Sequence, residues 1–346
     1  MIMSSFLRTT LLIPLLAGIL LFIGCGNPKG GTDLGNDNPV FQKDSLLRDI
    51  TMKIAGNPKD ATLFYKRGSY LHKIQYDSLA LKDFKMASSL DTNNASYYSA
   101  IGDLLFENHD LAGSVTWIQK AISKNPNDKK AHLKIAKLFL YIRDYAKAFA
   151  EINNNVLRVD VHNPEAYFLK GMIYKDLRDT DKAISSFQTA IQESADYRDA
   201  VVQLGLLYSA KKDPLTPDYL DKAYMMDSSD VMPIFAKGVY YQELKDTVRA
   251  KEEYKKCILK NHHYANAYFN MGYLLLQQDS VLKAWRQFDL VVKNDPRNPT
   301  GYYNRGVCSE IMDSVKSAIS DYKIAASMDT AYKSPKNALK RLKVKI

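Results

Sequence analysis

Residues 268–276 read YFNMGYLLL, residues 167–175 read YFLKGMIYK and residues 302–310 read YYNRGVCSE. Each has an aromatic pair, two further residues and then Gly, in a stretch that otherwise has the composition of a helix. Glycine in a helix interior costs up to ~1 kcal/mol relative to Ala. A chain that repeats this residue in mid-helix is keeping a place where a side chain would block a close contact.

The small residue recurs along the chain at Gly68, Gly102, Ala136, Gly171, Gly205, Gly238, Gly272 and Gly306, at spacings of 34, 34, 35, 34, 33, 34 and 34. A second small residue follows twelve positions later in most units, at Ala80, Ser114, Ala148, Ala183, Ala250, Ala284 and Ala318. An aromatic or Ile lies four beyond it, at Phe84, Ile118, Ile152, Phe187, Tyr254, Phe288 and Tyr322. A third small site follows at Ala87, Ala121, Ala190, Ala223, Cys257 and Ala325, with Asn155 in its place in the third unit. This register predicts two antiparallel helices per unit, the Gly of the first giving room to the Ala of the second. Asp-Ser or Asp-Thr pairs at 77–78, 179–180, 246–247, 279–280 and 313–314 supply capping residues where the second helix should start.

A 34-residue helix–turn–helix with this pattern and Asp/Asn-Pro endings resembles the tetratricopeptide repeat (TPR) family. The resemblance covers residues 61–330 and implies an all-α, right-handed α-solenoid of about eight units. The fifth unit departs most: DPLTPDYLDKAY carries Pro214 and Pro217, so its second helix should start late and be short. The third unit has one extra residue, expected around VDVHNP at 159–164. Residues 44–60 read as an N-terminal capping helix and residues 331–346 as a basic C-terminal capping helix with Pro335 near its start. Solenoids need such polar-faced ends to stay soluble.

The first residues read differently. Arg8 precedes an uncharged stretch whose apolar core, Leu11 to Ile23, is short for a bilayer span and suits a signal peptide. FIGC at 22–25 then resembles the lipobox of bacterial lipoproteins, with Phe22 in place of the usual Leu. The alternative is an uncleaved anchor with an incidental cysteine. The resemblance implies removal of 1–24, acylation of Cys25, and residence in the cell envelope of a Gram-negative bacterium. Gly26, rather than Asp, favours its outer membrane, facing the periplasm. Residues 25–43, rich in Gly, Asn, Asp and Pro, are expected to form a flexible tether reaching at most ~60 Å when extended.

No catalytic constellation emerges: the six histidines are scattered, and HExxH, GxSxG and P-loop patterns are missing. No enzyme activity, metal or cofactor is expected. Cys257 and Cys308 lie two units apart and are expected as free buried thiols. By the resemblance, the concave groove is lined by the fifth and ninth residues of each unit. The ninth positions are Ser69, Asp103 and Lys137, then Met172, Leu206, Val239, Tyr273 and Val307. The polar residue usual there in the family is thus lost from the fourth unit on. With aromatics at fifth positions, this points to a partner groove of Phe168, Met172, Leu206, Phe235, Val239, Phe269, Tyr273 and Tyr303. The bland alternative is that these side chains pack against neighbouring helices.

The net charge of +10 is uneven: residues 331–346 carry six Lys or Arg and no acid. Lys340, Arg341 and Lys343 in that basic end could meet an acidic partner, anionic lipid or polysaccharide, or simply be a solvated cap. Nucleic acid is not an expected partner of an exported protein. Together these features imply a membrane-tethered adaptor that docks a protein partner. The alternative is an accessory lipoprotein that binds glycan or peptidoglycan, or a packing subunit with no separable ligand.

Overall fold

The computed structural model describes residues 38–344, and every regular element among them is helical. Two short helices come first, α1 (Pro39–Lys43) and α2 (Ser45–Gly56). Eight helix pairs follow. They are α3 (Ala61–Lys73) with α4 (Asp77–Leu90), α5 (Ala95–Glu107) with α6 (Leu111–Lys124), and α7 (Lys129–Tyr141) with α8 (Tyr145–Ala150). The middle pairs are α9 (Pro164–Asp176) with α10 (Thr180–Glu193), and α11 (Arg198–Ala210) with α12 (Thr216–Met226). The last three are α13 (Met232–Glu243) with α14 (Thr247–Lys260), α15 (Ala265–Gln277) with α16 (Val281–Asn294), and α17 (Pro299–Ile311) with α18 (Val315–Met328). Helix α19 (Lys333–Arg341) closes the array. Each helix packs chiefly on its neighbours in the chain, which makes an α-solenoid.

The mid-helix glycines hold the pairs together, though not by the contact expected. A Cβ at Gly171 would stand 2.5 Å from the Phe187 ring, and one at Gly238 would stand 2.5 Å from the Tyr254 ring. The glycine therefore chiefly seats the large residue sixteen positions on; the alanine twelve positions on also comes close at Gly68, where an added Cβ would stand 3.2 Å from Ala80 O. Phe187 and Tyr254 are fully buried as a result. Burying such a ring stabilises by about 1.5–3 kcal/mol, which outweighs the ~1 kcal/mol that glycine costs the helix.

One turn design recurs in all eight units. The seventh residue after the small one adopts the left-handed conformation: Gln75, His109, Arg143, Arg178, Lys212, Lys245, Asp279 and Asp313. The N–H of the next residue then donates to the carbonyl five residues before it, as Asp179 does to Tyr174 O (2.9 Å) and Asp246 to Tyr241 O (2.9 Å). In every unit but the fifth the same residue is the N-cap of the second helix. Asp246 Oδ1 accepts the Arg249 N–H at 3.0 Å, and that bond, with the Arg249 side chain, holds its carboxyl below the usual value. The capping expectation is corrected where the Asp-Ser pairs fall out of this register. Asp279 and Asp313 are the left-handed residues and Ser280 and Ser314 take the cap positions, while Asp77 lies inside the first turn of α4.

Three further departures have local causes. Residues 39–43, assigned to the tether, are helical, because Phe41 is buried against the body with the Arg67 guanidinium over its ring at 4.4 Å. The extra residue of the third unit does not lengthen the 159–164 turn. It is absorbed inside the second helix, where Glu151–Leu157 winds as a π turn. The register slips by one there, so Val156, fully buried, takes the small-residue site given to Asn155, whose amide instead donates to Glu151 at 2.8 Å. Helix α12 begins late and has eleven residues, against fourteen in α10 and α14.

The nesting contact has a measurable consequence. Gly171→Ala should destabilise the array by about 1–3 kcal/mol through overpacking against Phe187, and Gly171→Ala/Phe187→Leu should recover part of that loss. Chemical denaturation followed by circular dichroism reads both, and an unchanged midpoint for the single variant would contradict the contact.

Candidate partner groove

Helices α3, α5 and α7, the first helices of units one to three, enclose a pocket of about 580 Å³. Tyr65, Ser69 and His72 reach it from α3, Asp103 and Glu107 from α5, and Lys134 and Lys137 from α7. Phe84 and Ile118 of the second helices also line it, and Glu165 of α9 closes one side. The polar groups are cross-linked. Lys134 Nζ donates to Asp103 (2.5 Å) and to Ser99 Oγ (2.9 Å). His72 bridges Asp77 (2.9 Å) and Glu107 (3.3 Å), and Lys137 Nζ lies 5.6 Å from the centre of the Phe106 ring. Such a surface presents both signs of charge to whatever enters. Ser69, Asp103 and Lys137 are the polar ninth-position residues, which lie before the apolar stripe expected to hold the partner. Only the closing of three helices around them reveals a cavity.

The eight residues expected to form the partner groove divide into two sets. Phe168, Phe235, Phe269 and Tyr303 are half-buried, each packed on the ring nineteen residues later. Their ring centroids lie 5.7 Å from Phe187, 5.8 Å from Tyr254, 5.7 Å from Phe288 and 5.6 Å from Tyr322. Their first task is to cover the ring seated on the glycine. Met172, Leu206 and Val239 are half-buried, and Tyr273 is the most open of the eight, at 42% exposed.

The basic end is partly engaged. Arg341 donates to both carboxylate oxygens of Glu310 at 2.7 Å, clamping α19 onto α17, whereas Lys340 and Lys343 are exposed. Cys25, the lipidation candidate, and the signal peptide at 1–24 lie outside the described residues. Among the described residues no helix is long and apolar enough to cross a membrane, and no cluster of His, Cys, Asp and Glu could hold a metal ion.

Residues 164–197 match the tetratricopeptide repeat family, and the matched stretch is α9 and α10 with their flanking turns. The same unit recurs from α3 to α18. The array is built of tetratricopeptide repeats. A TPR protein from Parabacteroides merdae superposes with a TM-score of 0.52 at 16% identity, over 71% of this chain and 98% of that one. PilW, described as a widely conserved type IV pilus biogenesis factor, superposes with a TM-score of 0.50 at 17% identity, over 61% of this chain and 98% of that one. A DnaJ protein P58IPK homolog of Arabidopsis thaliana is 25% identical over 205 residues, which are 55% of this chain and 42% of that protein. The chain spans less than half the length of the curated relatives it matches. TPR arrays are typically non-catalytic and bind other proteins.

Both described cysteines are sealed in the array. Burial pushes the Cys257 thiol up to about 12 and the Cys308 thiol up to about 11, and neither is bonded to another cysteine. The thiolate is the reactive form. Iodoacetamide at pH 8 should therefore leave both unmodified in the folded protein and label both in denaturant, as read by peptide mass mapping. Native labelling at the rate of a free thiol would contradict their burial.

Proposed function

We propose that this TPR chain is a non-enzymatic scaffold, tethered to a membrane through an acylated Cys25, that docks an extended segment of a protein partner along the first helices of its units. It would act within a cell-envelope assembly or secretion machine. The observation that carries this reading is the 580 Å³ pocket between α3, α5 and α7, with Asp103, Glu107, Lys134 and Lys137 on its walls. An extended peptide brings backbone N–H and C=O groups together with charged side chains, and a pocket offering both carboxylates and ammonium groups can satisfy each. Met172, Leu206, Val239 and Tyr273 continue the docking face for apolar side chains of the same segment. The helices are held by their own packing, so little ordering entropy is spent on binding. A lipid at Cys25 would raise the concentration of partners encountered at the bilayer, and FIGC at 22–25, closing the apolar Leu11–Ile23 run, supports that anchor.

The test has two arms. Affinity isolation from membranes identifies the partner, and Lys137→Glu and Tyr273→Ser, checked for unchanged helicity, should each reduce its recovery by about tenfold, or ~1.4 kcal/mol. Recovery at the wild-type level from either variant would overturn the docking assignment. Cys25→Ser should move the protein from the membrane fraction to the soluble one and abolish incorporation of an alkynyl fatty acid. Retention of either property by the serine variant would overturn the anchor and leave the docking result standing.

A further inference from the structure

Four units carry a cation one residue before the small residue of their first helix: Arg67, Lys170, Lys237 and Arg305. Three of them meet carboxylates supplied by a fixed rule. Arg67 pairs with Asp83 through two bonds of 2.7 and 2.8 Å. Lys237 meets Asp221 at 2.5 Å and Glu253 at 3.4 Å. Arg305 pairs with Asp321 at 2.7 Å and with Asp289 at 2.8 Å. Asp83, Glu253 and Asp321 stand just before the large residue of the same unit's second helix, and Asp221 and Asp289 stand just after that residue in the preceding unit.

In the fourth unit these two places hold Ser186 and Asn153. Among the described residues Lys170 accordingly forms no ion pair. Its ammonium donates to Asn153 Oδ1 at 3.2 Å and lies 5.9 Å from the centre of the Tyr167 ring. Burial alone pushes its pKa down, with no neighbouring carboxylate to oppose the shift. The space that an acid would fill is open. Lys170 forms one wall of a cavity of about 230 Å³ whose other walls are Tyr167, Tyr174, Lys182, Ser185, Ser186 and Thr189. Lys182 brings a second ammonium, held by Asp179 at 2.7 Å. Ser186 and Thr189 donate their hydroxyl hydrogens back to Lys182 O (2.7 Å) and Ser185 O (3.0 Å), so the charged donors facing a guest are the two ammonium groups.

We propose that this cavity is an oxyanion-binding site, in which a carboxylate or phosphate-type group supplies Lys170 with the counter-charge that the chain itself provides in units one, six and eight. A partly desolvated ammonium without a counter-charge is costly, and the three homologous sites show how small a change would have removed that cost. A guest oxyanion between Lys170 and Lys182 completes the pattern from outside. Its source is either a free inorganic anion or an acidic side chain of another molecule, and both present the same oxygens.

The full chain, at constant ionic strength set with chloride, is titrated with sodium phosphate and, separately, with N-acetylglutamate. Acetylation of each lysine by an amine-reactive reagent is followed by peptide mass mapping. Either anion should slow modification of Lys170, by about tenfold at ten times the dissociation constant, with Lys237 unaffected. A response to phosphate alone identifies a free inorganic anion, and one to N-acetylglutamate identifies an acidic side chain. Ser186→Asp, which restores the internal acid, should protect Lys170 with no added anion and abolish the response. Lys170→Gln keeps the test independent of that variant, since it should lose the rise in melting temperature that the anion gives the wild type. Absence of saturable protection with both anions, or an undiminished anion response in Ser186→Asp or Lys170→Gln, would overturn the site.

Discussion

Every unit but the third depends on one contact: a large side chain from the second helix set against a glycine of the first helix where an added Cβ would crowd it. Gly68 and Phe84, Gly171 and Phe187, Gly238 and Tyr254, and Gly306 and Tyr322 repeat it, with the added Cβ at 2.5–2.8 Å from the ring in each case. The contact fixes the distance between the two helices, and that distance fixes the turn between them. A chain reversing within such a short span needs one residue with positive φ. This fold places Arg, Lys, His, Gln or Asp there, although a left-handed conformation costs an L-residue ~1–2 kcal/mol. The cost is tolerated because the following residue both ends one helix with its N–H and, when it is Asp, starts the next with its carboxylate. The aromatic at the fifth position then covers the seated ring from the other side, as Phe168 covers Phe187.

Where the contact changes, the unit changes. The third unit has Ala136 in place of Gly and Ile152 in place of a ring, and it is also where the second helix overwinds into a π turn. Sequence comparison among units places the extra residue in the turn, since turns absorb insertions most easily. The structure keeps the turn and inserts the residue between Ile152 and Val156, so that both remain buried. The side chains facing the core thus held their places while the backbone hydrogen-bond register gave way. In the fifth unit Gly205 receives Leu220, and its second helix starts at Thr216, whose hydroxyl donates to Asp213 O at 2.7 Å, with Pro217 in the first turn. A shorter side chain and a shorter helix go together there.

The fold was legible in the sequence because its signal is repeated eight times. A glycine, an alanine and an aromatic in fixed register survive local exceptions such as Asn155. The details that were misread belong to a single unit or a single contact, where no repetition averages out the error. Phe41 looked like part of a polar tether, and nothing in its neighbours announced that Arg67 would stack on it. The fifth-position residues were legible only in part, for a different reason. The fifth-position rings look like a ligand stripe and also like core, and only distances such as the 5.7 Å between Phe269 and Phe288 separate the two uses. The polar pocket was missed because Asp103, Lys134 and Lys137 come from two helices whose approach is a property of the superhelix, not of any local pattern.

The charged residues carry a similar lesson about what repetition can reveal. A partly buried lysine in an irregular protein has no reference against which its missing counter-ion can be noticed. In a solenoid the other units are the reference. Arg67, Lys237 and Arg305 show what the site before the small residue requires when it is cationic, because Asp83, Glu253 and Asp321 stand at one position relative to the seated ring. Against them, Ser186 puts a hydroxyl where those units have a carboxylate, beside a lysine that gains no counter-charge from it. Units two, three, five and seven avoid the problem by placing Ile101, Ile135, Leu204 and Met271 at the same point. An apolar side chain was therefore an available solution at this position, and the fourth unit departs from both patterns at once: it keeps the charge and omits the acid.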